Sequence, residues 1–137
     1  YQPDLAVLDL SFISLSKVLG AVLDCLAPRY DALALVKPQF EVGRGRGGKG
    51  GGVRDPDQRR AALIGVGQAA VELGAAVLGY HSSGLPGPKG NRETFVWLAS
   101  PEQALATPPH PGAVLPAPGR GAAYEAELDR LAREVEP

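Results

Sequence analysis

An α/β fold, with helices covering the faces of a sheet, is the architecture this sequence predicts, and three observations carry the prediction. Two short apolar runs, DLAVLDL at 4–10 and DALALVK at 31–37, have the near-continuous pattern of strands buried on both faces. Between them Leu15, Val18, Leu19, Val22, Leu23 and Leu26 recur at steps of 3, 1, 3, 1 and 3, the stripe of one helix face. A second helix pattern beyond residue 55 is followed by two more strand-like runs, at 75–80 and 94–98. The order is strand, helix, strand, helix, strand, strand. Four strands with two covering helices read as the second half of a larger sheet.

Each element has its own local grounds. Ser14 stands where it can cap the first helix, and Pro28 lies just past its end. A helical crossover makes the two flanking strands parallel neighbours with a right-handed connection. GRGRGGKGGG, residues 43–52, is a loop by composition. Asp55 can cap the next helix, Pro56 suits its first turn, and Gln58 completes a capping-box spacing. Leu63, Val66, Ala70 and Leu73 give that helix its apolar stripe, and Gly74 ends it. The polar stretch SSGLPGPKGN joins AAVLGY (75–80) to TFVWL (94–98), which suits an antiparallel pair. Residues 100–121 are rich in Pro, Ala and Gly and read as a linker or meander. Tyr124, Leu128, Leu131 and Val135 then mark a short amphipathic helix within a tail at 122–137, after a first unit at 1–99.

Composition narrows the function classes. With 137 residues, 45% hydrophobic and 21% charged, the chain is of ordinary domain size and globular rather than disordered. Fourteen basic against fifteen acidic residues leave a net charge of -1, so nucleic acid can be met only by a local patch. A single cysteine excludes an internal disulfide and a cysteine-rich metal site, and points to a reducing, cytoplasmic setting. Two histidines without ligand spacing give no metal site. Cys25, beside the first helical stripe, reads as a small core residue. No apolar run nears the roughly 20 residues of a membrane span. The lack of methionine and the opening Tyr1-Gln2-Pro3 suggest an excerpt or a processed chain.

Open α/β sheets bind ligands at the carboxyl ends of their parallel strands. Asp9 ends the first strand there and Lys37 the second; Glu93 begins the last run, which reaches the same edge if it is antiparallel. Each has an ordinary reading alone: a turn residue, a solvated strand end, a surface acid. Their convergence is what singles them out. The glycine loop satisfies G-x-G-x-x-G at Gly43, Gly45 and Gly48 but does not sit in a tight strand-to-helix turn. It also reads G-x-x-x-x-G-K to Lys49, yet Gly50 stands where a phosphate loop needs a hydroxyl. Both motifs fail on context. What remains is a basic segment: Arg44, Arg46, Lys49, Arg54, Arg59 and Arg60 against Asp55 and Asp57, a local excess of four positive charges between 43 and 60. Glycine and arginine together suit phosphate oxygens.

The strings VLDLSFISL (7–15), LVKPQFEVGRGRGGKGGGVRDP (35–56) and LPGPKGNRETFVWL (85–98) resemble the TlyA, or haemolysin A, family of ribosomal RNA 2′-O-methyltransferases, whose catalytic domain is FtsJ-like. The resemblance covers residues 4–99. It implies a Rossmann-like methyltransferase sheet, mostly parallel with an antiparallel strand, of which this chain holds the carboxy-terminal half. It implies S-adenosylmethionine as cofactor, with Asp9, Ser11 and Phe12 on the cofactor side. It also implies that Asp9, Lys37 and Glu93 are the last three members of a lysine-aspartate-lysine-glutamate tetrad. The first lysine, the glycine-rich cofactor turn and an RNA-binding domain belong upstream of Tyr1. Lys89 and Arg92 depart from the family pattern and add positive charge. The implied partner is ribosomal RNA or a ribosomal subunit, contacted by Arg44, Arg46 and Lys49, with no membrane. The chain alone is expected to be inactive and to self-associate through an exposed sheet edge. The reading from another class is a non-catalytic RNA-binding module using the same basic loop.

Overall fold

A four-stranded sheet in the order β1-β2-β4-β3 forms the centre of the chain, in a computed structural model that describes residues 1–42, 52–106, 112–117 and 124–137. In chain order the elements are β1 (Leu5–Leu8), α1 (Leu19–Asp24), β2 (Asp31–Val36), α2 (Pro38–Glu41), α3 (Pro56–Glu72), β3 (Ala76–Pro86), β4 (Arg92–Ala99), α4 (Pro101–Ala106) and α5 (Tyr124–Ala132). β1 and β2 pair in parallel, with Leu8 opposite Ala34. β4 lies between β2 and β3 and is antiparallel to both, with Val36 opposite Thr94 and Ala76 opposite Ala99. Three strands therefore run one way and β4 against them, the mixed sheet that the sequence predicts.

β2 alternates as its neighbours require. Ala32, Ala34 and Val36 face the main core while Leu33 and Leu35 are only half-buried. β1 differs from expectation: Leu5 is 57% and Val7 66% exposed. It is an edge strand of this sheet, paired on one side, so its apolar run is not covered on both faces. The first helix is also shorter than its stripe. Leu15–Lys17 is a 3-10 turn, and the α-helix begins only at Leu19. Ser14 does cap that turn, its Oγ accepting from the Ser16 N–H at 3.2 Å. Because α1 stops at Asp24, Cys25 falls at its end and is exposed, not in the core.

α3 follows its signals more closely. Asp55 Oδ1 accepts from the Asp57 N–H at 2.9 Å, and Pro56 occupies the first turn. At the other end Gly74 has φ +92°, the left-handed conformation that glycine adopts without cost. There the Gly74 and Ala75 N–H groups close on the Val71 and Ala70 carbonyls, a Schellman stop. Leu73, at the helix end, is exposed, and Val71 is buried in its stead. β3 runs on to Pro86, with irregular register between Ser82 and Pro86, so much of the polar connection is strand. Within the segment read as linker, Pro101–Ala106 is helical and Val114 bridges to Val77 through two hydrogen bonds of 2.9 and 2.8 Å. α5 packs on α3 and sends Leu128, Leu131 and Ala132 into the same core as Leu19, Leu63 and Val96.

Candidate active site

The sheet's direction brings three separated segments to one edge. Asp9 and Lys37 follow the carboxyl ends of β1 and β2, and the Val36–Thr94 register sets Glu93 at the start of β4 alongside. The Lys37 Nζ lies 2.6 Å from Asp9 Oδ1 and donates to Ser11 Oγ at 3.1 Å. The Lys37 side chain is 12% exposed and that of Asp9 67%, so the lysine end of the pair is mostly covered and the carboxylate faces solvent. A cavity of about 410 Å³ opens here, lined by Ser11, Phe12, Lys37 and Glu93 and also by Gln39, Phe40, Lys89 and Asn91. Two oxygens of residues that line it, Glu93 Oε2 and Gln39 Oε1, are buried without a hydrogen-bond partner among the described residues. A buried acceptor left unmatched is costly, so this wall favours a ligand that brings donors or positive charge.

The cavity walls are braced by further residues, of which the sequence singled out only Phe12. Glu41, in α2, accepts the Leu15 N–H at 2.7 Å on Oε1 and the Ser14 hydroxyl at 2.5 Å on Oε2. It thereby ties the KPQFE segment to the DLSFISL segment. Burial pushes its carboxyl pKa up, and the two hydrogen bonds only partly offset this. Phe12 is 89% exposed, has φ +66°, and meets the Phe40 ring at 5.2 Å between centroids. A left-handed backbone at a bulky residue is strained, and such strain clusters at functional sites. Gly87 is needed for a close approach: a Cβ there would lie 2.8 Å from both Glu93 Oε1 and the Asn91 carbonyl. Asn91 is buried, and its Oδ1 accepts from the Val53 N–H at 2.8 Å. The Gly-Asn pair marks a turn in the sequence, but nothing local announces Val53 as its partner.

The predicted RNA-contacting residues Arg44, Arg46 and Lys49 lie outside the described residues. Two other members of the basic run are committed within the protein. Arg59 is buried in a bidentate pair with Glu136, at 2.7 and 2.9 Å. Arg60 is ion-paired with Asp57. The positive excess of the segment is therefore smaller by the one charge that Glu136 offsets, since Asp57 already counts within it. Among the described residues, no helix is long and apolar enough to cross a membrane.

Residues 1–100 match the family model of FtsJ-like methyltransferases. Over 95 residues the chain is 52% identical to the 16S/23S rRNA (cytidine-2′-O)-methyltransferase TlyA of Mycobacterium tuberculosis, an overlap of 69% of this chain and 35% of that protein. Over 91 residues it is 34% identical to Hemolysin A of Brachyspira hyodysenteriae, an overlap of 66% and 38%. Two solved structures share the fold. One is a candidate hemolysin from Lactococcus lactis, with TM-score 0.69 and 36% identity over 72% of this chain and 47% of that one. The other is a candidate hemolysin from Streptococcus thermophilus, with TM-score 0.70 and 31% identity over 98% and 46%. The chain spans little more than a third of these curated relatives and just under half of these solved structures.

Proposed function

The chain belongs to the FtsJ-like methyltransferase family, and on that footing we propose that it carries the catalytic edge of a ribosomal RNA 2′-O-methyltransferase. The observation that carries the reading is that Lys37 and Glu93, from two segments, line one cavity, with Asp9 of a third segment ion-paired to the Lys37 Nζ at its edge. The residues suit S-adenosylmethionine as cofactor. The unmatched Glu93 oxygen favours a cationic centre, Ser11 and Phe12 line the same cavity, and Asp9, exposed beside it, is held by Lys37. That cofactor, when bound, supplies a methyl group already activated on a sulfonium.

Lys37 is the base. Its ammonium first gives up a proton to solvent, a loss that the like charge of a further lysine in the longer protein favours. Its Nζ then takes the proton that leaves the ribose 2′-hydroxyl as that oxygen is alkylated. Asp9 and Ser11 hold the nitrogen in place. Glu93 accepts a hydrogen bond from the ribose or, after transfer, from the Lys37 ammonium. With an activated donor, positioning supplies much of the rate. Arg44, Arg46 and Lys49 bind RNA phosphates of the ribosomal subunit in the cytoplasm. The chain acts within a longer protein that contributes a further lysine and the rest of the cofactor cradle; alone it is inactive, and its open edge strand promotes self-association.

The test is methyl transfer from labelled cofactor to ribosomal RNA by the full-length protein. Lys37→Ala should lower the rate by about 10²-fold or more with an unchanged circular dichroism spectrum. Retention of most of the rate removes Lys37 from the chemistry. A wild-type protein that binds RNA with steep salt dependence yet transfers no methyl group would instead be the binding module.

A further inference from the structure

Two hydrogen-bond networks meet on one short strip of backbone, residues 53–54. On one side Arg59 of α3 grips Glu136 with Nε and Nη2, while its Nη1 donates to the Arg54 carbonyl at 2.8 Å and the Val53 carbonyl at 3.3 Å. On the other side the Val53 N–H donates to Asn91 Oδ1. The Asn91 carbonyl in turn accepts the Gly87 N–H at 2.7 Å, closing the turn that lies against the Glu93 carboxylate. Glu136, beyond the residues matched by the family model, is thus joined through Arg59, Val53 and Asn91 to the wall of the cavity.

We propose that Glu136 and Arg59 are positioning residues, through which the carboxy-terminal segment sets the Asn91 turn and hence the placement of Glu93. Burying an ion pair is poor value for stability alone, since apolar residues of similar volume commonly do as well. The fork geometry does something apolar residues cannot. The planar guanidinium, fixed by two carboxylate oxygens, presents a third nitrogen to two backbone carbonyls at once. It fixes the strip in place and so presents the Val53 N–H to Asn91. The inference rests on the reading of the cavity as the methyl-transfer site.

The test uses the full-length protein carrying Arg59→Met and Glu136→Leu together, which fills the space but removes every donor to the strip. The double variant should fold and bind cofactor as the wild type does, while amide exchange at Val53 and Gly87 speeds up and kcat falls by about tenfold to a hundredfold. Wild-type exchange and wild-type kcat in the folded double variant overturn the proposal. So does a kcat that recovers in step with thermal stability across Arg59 and Glu136 variants. If the double variant fails to fold, Glu136→Gln, which keeps the shape and one acceptor, decides by the same two readouts. Should the wild-type protein transfer no methyl group, the methyltransferase reading fails on its own. Exchange at Val53 and Gly87 then decides the positioning link alone.

Discussion

The carboxylate of Glu41 is half-buried and accepts hydrogen bonds from Ser14 and from the Leu15 N–H, 26 residues earlier in the chain. Desolvation raises its pKa above the ordinary 4.5. The folded state therefore holds this proton more tightly than the unfolded state. The stabilising contribution is full below pH 4.5 and is lost as pH rises through the folded pKa. Glu41→Gln removes that titration. The stability of the variant minus that of the wild type, followed by thermal melts, should rise with pH across a window beginning near 4.5. A flat difference excludes the raised pKa. Nothing local in the sequence marks Glu41 for this role, because its partners lie on the other side of β2.

Among the elements, those whose burial is decided by their own periodicity were readable. α3 has cap, stripe and glycine stop in one window, and β2 has neighbours on both sides. β1 and the first helix were not, because a distant partner decides them. The apolar run at 4–10 carries no sign of which strands flank it, and the Ser14 turn is shaped by Glu41 as much as by its own stripe. The exposed Val7 on an edge strand bears directly on association. The isolated 137-residue chain should self-associate in sedimentation velocity runs, and Val7→Lys, which blunts the edge, should return it to monomer. A strictly monomeric wild-type chain at high concentration contradicts this reading.

For the molecule as a whole, the candidate site was legible in outline because topology alone sends Asp9, Lys37 and Glu93 to one edge. The bracing was not legible. Asn91 with Val53, and Arg59 with Glu136, join positions 38 and 77 residues apart that share no pattern. On the proposed reading, in which the rest of the cofactor cradle comes from a longer protein, the isolated chain is expected to bind S-adenosylmethionine weakly or not at all by calorimetry. A micromolar dissociation constant overturns that. The place of β4 has a consequence for how the molecule is made. β4 sits between β2 and β3 but is the last of the four strands in the chain. During synthesis the first three strands emerge as two groups with no ladder between them, and β4 must insert to join them. Such non-local pairing closes slowly. Lys37 and Glu93 therefore come to the same cavity only once the chain has been made through β4, so the candidate site cannot form from β1 and β2 alone.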